Sequence, residues 1–106
     1  YSLGDGVVQN YSKASKWYRK AAEQGNPRAL TSLGYMYLVG NGVKQNLGTA
    51  YILLSLGAAK GEENAKEGRN LAIKGLTLQQ VAKAQQLASE WEVGKPLPSP
   101  KDIEIR

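Results

Sequence analysis

Cysteine and histidine are both absent from the 106 residues. Without cysteine there is no disulfide, no thiolate nucleophile and no sulfur ligand for zinc. Without histidine the usual general base of hydrolytic enzymes is missing, and with it the commonest metal ligand. No Ser-x-x-Lys occurs, so a serine nucleophile lacks that base as well. No catalytic, cofactor-binding or metal-binding set emerges from what remains. Long apolar runs are missing too. The longest mostly apolar stretch, Ala50 to Ala59, is far shorter than the roughly 20 residues a membrane-spanning helix needs, so no membrane insertion is expected of this segment. Tyr1 is not a start methionine and no basic-then-apolar leader follows it, so the chain reads as a processed piece with earlier units expected before it.

What is present is a foldable composition, 42% hydrophobic and 22% charged. The length suits one domain or a short stack of units. Fourteen Lys and Arg against nine Asp and Glu give a formal net charge of +5. The whole excess lies in residues 1–60, and Lys13, Lys16, Arg19 and Lys20 crowd into one short stretch of it. Residues 61–106 balance acid against base.

The chain repeats itself. Tyr1-Ser-Leu-Gly-Asp-Gly-Val7 aligns with Tyr37-Leu-Val-Gly-Asn-Gly-Val43 at an offset of 36, and ten identities accumulate between residues 1–29 and 37–65. A fixed period of this size marks a solenoid whose units are stable only when stacked. Each unit reads as two helices. Pro27 suits a first helical turn, and Ala29, Leu33 and Tyr37 recur at helical spacing, which predicts a helix over 27–39. Gly40-x-Gly42 turns the chain. Asn46 caps a second helix whose buried face is Ala50, Leu53, Leu54, Gly57 and Ala58, and Gly61 ends it. The earlier copy uses Asn10 as cap, Ala14, Trp17, Tyr18, Ala21 and Ala22 as stripe, and Gly25 as stop. A third unit is degenerate: residues 63–75 suggest a helix, but Gly68 and Arg69 replace the expected Leu-Gly pair and the Gly-x-Gly turn is gone. Thr77 and Gln80 then form a capping box, with Leu76 and Val81 as its hydrophobic staple. The helix they open is expected to run to about Val93, burying Val81, Ala84, Leu87, Ala88 and Trp91 and leaving Lys83, Gln85, Gln86, Ser89 and Glu90 wet.

Asn26-Pro-Arg-Ala-Leu-Thr-Ser-Leu-Gly-Tyr-Met-Tyr-Leu-Val-Gly-Asn-Gly-Val43 resembles the front half of a Sel-1-like repeat, a relative of the tetratricopeptide repeat. Ala14-Ser-Lys-Trp-Tyr-Arg-Lys-Ala-Ala-Glu-Gln-Gly25 resembles the back half. The resemblance divides the chain into repeats over 1–76, a closing helix over 77–93 like that of bacterial members, and a proline-containing extended tail over 94–106. It implies an all-α fold, a right-handed α/α superhelix of antiparallel helix pairs, acting as a scaffold or adaptor for a protein or peptide partner. It implies no shared catalytic residues. In such stacks the first helix of each pair lines a concave groove. The corresponding face here carries Arg28, Thr31, Tyr35 and Leu38, continued in the next unit by Asn64, Glu67 and Leu71. Tyr35 and Leu38 would supply apolar contact and Arg28 a counter-charge for an acidic group, or Tyr35 would instead pack under the terminal helix.

Other features have plainer readings. The Gly-x-Gly pairs lack the third glycine and the preceding strand of a phosphate cradle, so they are turns. Trp17 and Tyr18 share the apolar stripe and are expected in core or inter-repeat packing. Lys13, Lys16 and Lys20 share one helical face, read as solvated, with an acidic protein surface as the next choice. Nucleic acid is not expected, since neither interleaved aromatics nor a reading helix accompany the lysines. Glu62, Glu63 and Glu67 favour a helix start, and Glu90 and Glu92 point apart, so neither group is an acid/base pair. Asn10-Tyr-Ser12 matches a glycosylation sequon, which the capping role of Asn10 explains. The alternation at Ile103-Glu-Ile105 suits a disordered end more than a strand added to a partner's sheet. An alternative function, hydrolysis of cell-wall or β-lactam bonds, is suggested by disulfide-rich relatives whose cysteines this chain lacks.

Overall fold

A computed structural model describes residues 11–98 and residue 100. Five α-helices follow one another: α1 (Tyr11–Glu23), α2 (Pro27–Val39), α3 (Leu47–Ala59), α4 (Glu63–Lys74) and α5 (Leu78–Glu90). The architecture is all-α, helices packed pairwise on helices.

Local signals set the boundaries. Asn26 accepts the Ala29 N–H at 3.0 Å and Pro27 opens α2. Asn46 accepts the Thr49 N–H at 2.9 Å and opens α3 in the same way. Gly25 and Gly61, at φ +86° and +99°, end α1 and α3. In each case the next residue's N–H reaches back five positions, Asn26 to Ala21 and Glu62 to Gly57, in a Schellman arrangement. Gly40 and Gly42 carry the turn after α2 in the left-handed region. Thr77 and Gln80 form both bonds of the capping box, at 2.9 and 3.1 Å. The expected caps on α3 and α5 are therefore present, and Asn26 adds a cap on α2 that is not among those expected. The expected cap Asn10 and the first glycine pair, Gly4 and Gly6, lie outside the described residues.

The core centres on α3, which packs against α2, α4 and α5. Leu53 and Leu54 are buried as the repeat implies. So are Tyr51 and Ile52, because α3 is enclosed on more sides than the single stripe expected from the sequence. Three glycines make the close packing possible. A Cβ at Gly34 would fall 2.7 Å from Leu54 Cγ, and one at Gly68 would fall 2.9 Å from Leu54 Cδ1. Gly57 is in turn occupied by Thr31, whose hydroxyl donates to the Pro27 carbonyl at 3.0 Å. The sequence suggests decay of the third unit at Gly68, yet that residue lets α4 approach α3.

Helix α5 ends at Glu90, three residues before the expected Val93. Trp91 leaves the helix with φ −74° and ψ 140°, and its indole N–H donates to the Lys95 carbonyl at 3.0 Å. The chain then returns to the end of α1. The Gly94 N–H donates to the Glu23 carbonyl at 2.6 Å, Val93 lies against Gly25, and Leu97 is buried in the core. The segment after α5 thus ties the last helix back to the first.

Two stability outcomes follow. Gly34→Ala gains about 1 kcal/mol of helix propensity at an open site, but here the methyl meets the fully buried Leu54 and overpacking costs typically about 1–3 kcal/mol. The variant is expected to have a lower urea midpoint than wild type; a higher one contradicts the packing. Thr77→Ala removes the capping box of α5 and is expected to cost about 1 kcal/mol by the same measurement.

Candidate functional site

A hollow of about 300 Å³ opens between α1, α2 and the start of α4. Tyr11 and Tyr18, seven apart on α1, form one wall. Ser32, Tyr35 and Val39, spaced three and four apart on α2, form another, and Asn64 closes the α4 side. Among the described residues no charged side chain borders the hollow. Tyr35 is fixed by two contacts. Its ring stands over Gly68, where a Cβ would come within 2.8 Å of Tyr35 Cζ, and its hydroxyl donates to the Asn64 carbonyl at 2.5 Å. The tyrosine is therefore a bridge from α2 to α4, held in one orientation and half-buried.

The seven residues expected along the concave face are placed unequally. Thr31, Tyr35 and Asn64 border the hollow. Thr31 is nonetheless 4% exposed, committed to the notch at Gly57. Arg28 is exposed one turn before Ser32, in line with the α2 wall. Leu38 is half-buried against the core. Glu67 and Leu71 are exposed on α4, one and two turns after Asn64. Tyr11, Tyr18, Ser32 and Val39 also line the hollow, and helical periodicity did not single them out as site residues. A signal for the tyrosines exists in the sequence, since Tyr18 sits on the repeat stripe and Tyr11 lies two turns earlier.

Trp17 corrects the sequence expectation. Its stripe places it in packing, yet it is 76% exposed. Its counterpart at the offset of 36 is Leu53, buried against α2; no described helix occupies the corresponding place beside Trp17. Lys16 and Lys20 flank it around a shallow hollow of about 220 Å³, and all three lysines of that face are exposed, as a solvated face requires. Arg19 points elsewhere. It donates to the Tyr37 hydroxyl and stacks on that ring at 5.9 Å, a charge absorbed into the α1–α2 contact.

The acidic residues serve the helices. Glu62 and Glu63 stand at the start of α4, and Glu63 pairs with Lys66 at 3.6 Å on the surface. Among the described residues no three His, Cys, Asp or Glu side chains group as metal ligands. Among them, too, no helix is long and apolar enough to cross a membrane. Ile103 and Ile105 lie outside the described residues.

No solved structure matches the chain. The Sel1 repeat family is matched over residues 1–26 and 27–62, more than half of the sequence. Those spans end at the two Gly-capped turns, after α1 and after α3, and the second takes in the α2–α3 pair. Only Sel1 repeats are found, with no catalytic domain, and such repeats typically mediate protein interactions. With the family match and the five packed helices in agreement, the chain belongs to the Sel1 repeat family.

Proposed function

We propose that this chain is a non-catalytic interaction module that accepts a peptide segment of a protein partner along the α2–α4 face. The observation that carries the reading is the tyrosine-walled hollow around Tyr35, whose described lining is uncharged. Half-buried tyrosines offer large contact area with few rotatable bonds, so little conformational entropy is lost when a ligand covers them. Tyr35 is already immobilised by Gly68 and Asn64, which lowers that cost further. Ser32, Asn41 and Asn64 supply hydrogen-bonding groups at the rim for a peptide backbone. Arg28 extends the α2 wall and would take an acidic residue of the peptide. Leu71 and Glu67 extend the α4 wall and would contact its other end. Leu38 and Thr31 support the walls from inside.

Selection from a random peptide library tests this directly. Enriched peptides should lose at least about tenfold in affinity to Val39→Glu, an exposed position whose change leaves the core intact. Tyr35→Phe should keep the binding face and lose about 0.5–1.5 kcal/mol of stability with its hydrogen bond. A library that yields no enrichment, or peptides indifferent to Val39→Glu, overturns the hollow as the site.

A further inference from the structure

A second cleft, apart from the tyrosine-walled hollow, lies between α3, α4 and α5 and holds about 320 Å³, the lower end of the range for small-ligand pockets. Its polar side chains are Arg69, Ser55, Tyr51, Gln85 and Ser89, of which Ser89 donates to the Gln86 carbonyl and the first three have hydrogens to offer a ligand. Arg69, half-buried on α4, borders it and makes no ion pair with any described acid. The Ser55 hydroxyl on α3 is buried and has no hydrogen-bond partner among the described residues. The Tyr51 hydroxyl accepts the Gln85 amide N–H at 3.1 Å, which leaves its own proton to donate. Among the described residues no carboxylate borders the cleft, whose remaining walls include Leu56, Ala59 and Ala88.

An unbonded buried hydroxyl costs free energy unless something satisfies it. A guanidinium beside two hydroxyl donors is the arrangement that receives an oxyanion, with Arg offering two parallel N–H groups to a planar carboxylate. One cation matches one negative charge, and the aliphatic walls match a short apolar body. A carboxylate on a short apolar chain satisfies both, whereas a phosphate dianion would leave one charge unpaired and the walls unused. We infer that the α3–α5 cleft is a binding site for a carboxylate carried on a short apolar body, with Arg69, Ser55 and Tyr51 as its donors. That chemistry is found in a free aliphatic acid and in the C-terminal residue of a peptide.

Calorimetric titration of the full chain with hexanoate and with an acetylated Ala-Ala-Leu peptide bearing a free C-terminus tests the site. Hexanamide, the C-terminally amidated peptide and inorganic phosphate serve as controls. Saturable binding of hexanoate supports a free acid as ligand, and binding of the free-terminus peptide supports a chain end. Arg69→Gln should weaken either by about tenfold or more, the value of one charge-assisted bond. Ser55→Ala should weaken it by about twofold to tenfold. Ala88→Leu, which fills the cleft with an apolar side chain, should abolish binding while circular dichroism stays unchanged. Hexanamide binding as well as hexanoate, phosphate binding more tightly than either acid, affinity unaltered by Arg69→Gln, or no heat from any acid overturns the assignment.

Discussion

Leu54 sits between two glycines, Gly34 of α2 and Gly68 of α4, each within reach of its side chain only because it has no Cβ. That contact fixes how closely the first helices of two successive units approach the helix between them. Protein interiors are packed at crystal-like density, so a single methyl group in either place must displace a neighbour. The same spacing leaves α3 enclosed by α2, α4 and α5, with Tyr51, Ile52, Leu53 and Leu54 all buried.

Both candidate sites are consequences of that arrangement. On one side, the approach of α4 puts Gly68 beneath Tyr35, which then spans to Asn64 and walls the hollow facing α1. On the other, α5 docks on α3 through Gln85 and Tyr51, and the wedge left between α4 and α5 is lined by Arg69 and Ser55. The segment after α5 returns to Glu23 and Gly25, so the helix that borders the second cleft is linked by hydrogen bonds to the end of the helix that borders the first. Rigid placement of side chains is what a recognition surface needs, because binding then costs less ordering.

Much of this architecture is legible in the amino-acid order alone. Asn46, Pro27 and Thr77 mark helix starts because capping is a local interaction between residues three or four apart. Gly25 and Gly61 mark helix ends because a positive φ leaves few other choices. Burial is legible only in part. One apolar stripe can be seen on α3, but the second face is buried through α4 and α5, a tertiary effect invisible to helical periodicity. Trp17 shows the converse: the stripe is correct, yet an apolar face is covered only where a neighbour exists, and none is described there. Gly68 looks like a break in the pattern because it is misaligned with Gly34 in sequence; in space it serves the same helix. Of the expected groove, Tyr35 and Asn64 fall beside the hollow since they share a rim. Tyr11 and Tyr18 belong to another helix, which face-by-face reading of α2 and α4 does not reach.

The central claim is that Leu54 and the flanking glycines form one complementary contact. A double-mutant cycle on Gly34→Ala and Leu54→Ala, read by equilibrium urea unfolding, measures it. Each single change should be destabilising, the first by overpacking and the second by leaving a cavity. In the double variant the added methyl occupies space that the leucine vacated. The account therefore predicts a favourable coupling of about 1 kcal/mol or more between the two sites. Costs that simply add, within about 0.5 kcal/mol, would contradict it, and the close approach of α2 to α3 would need another cause.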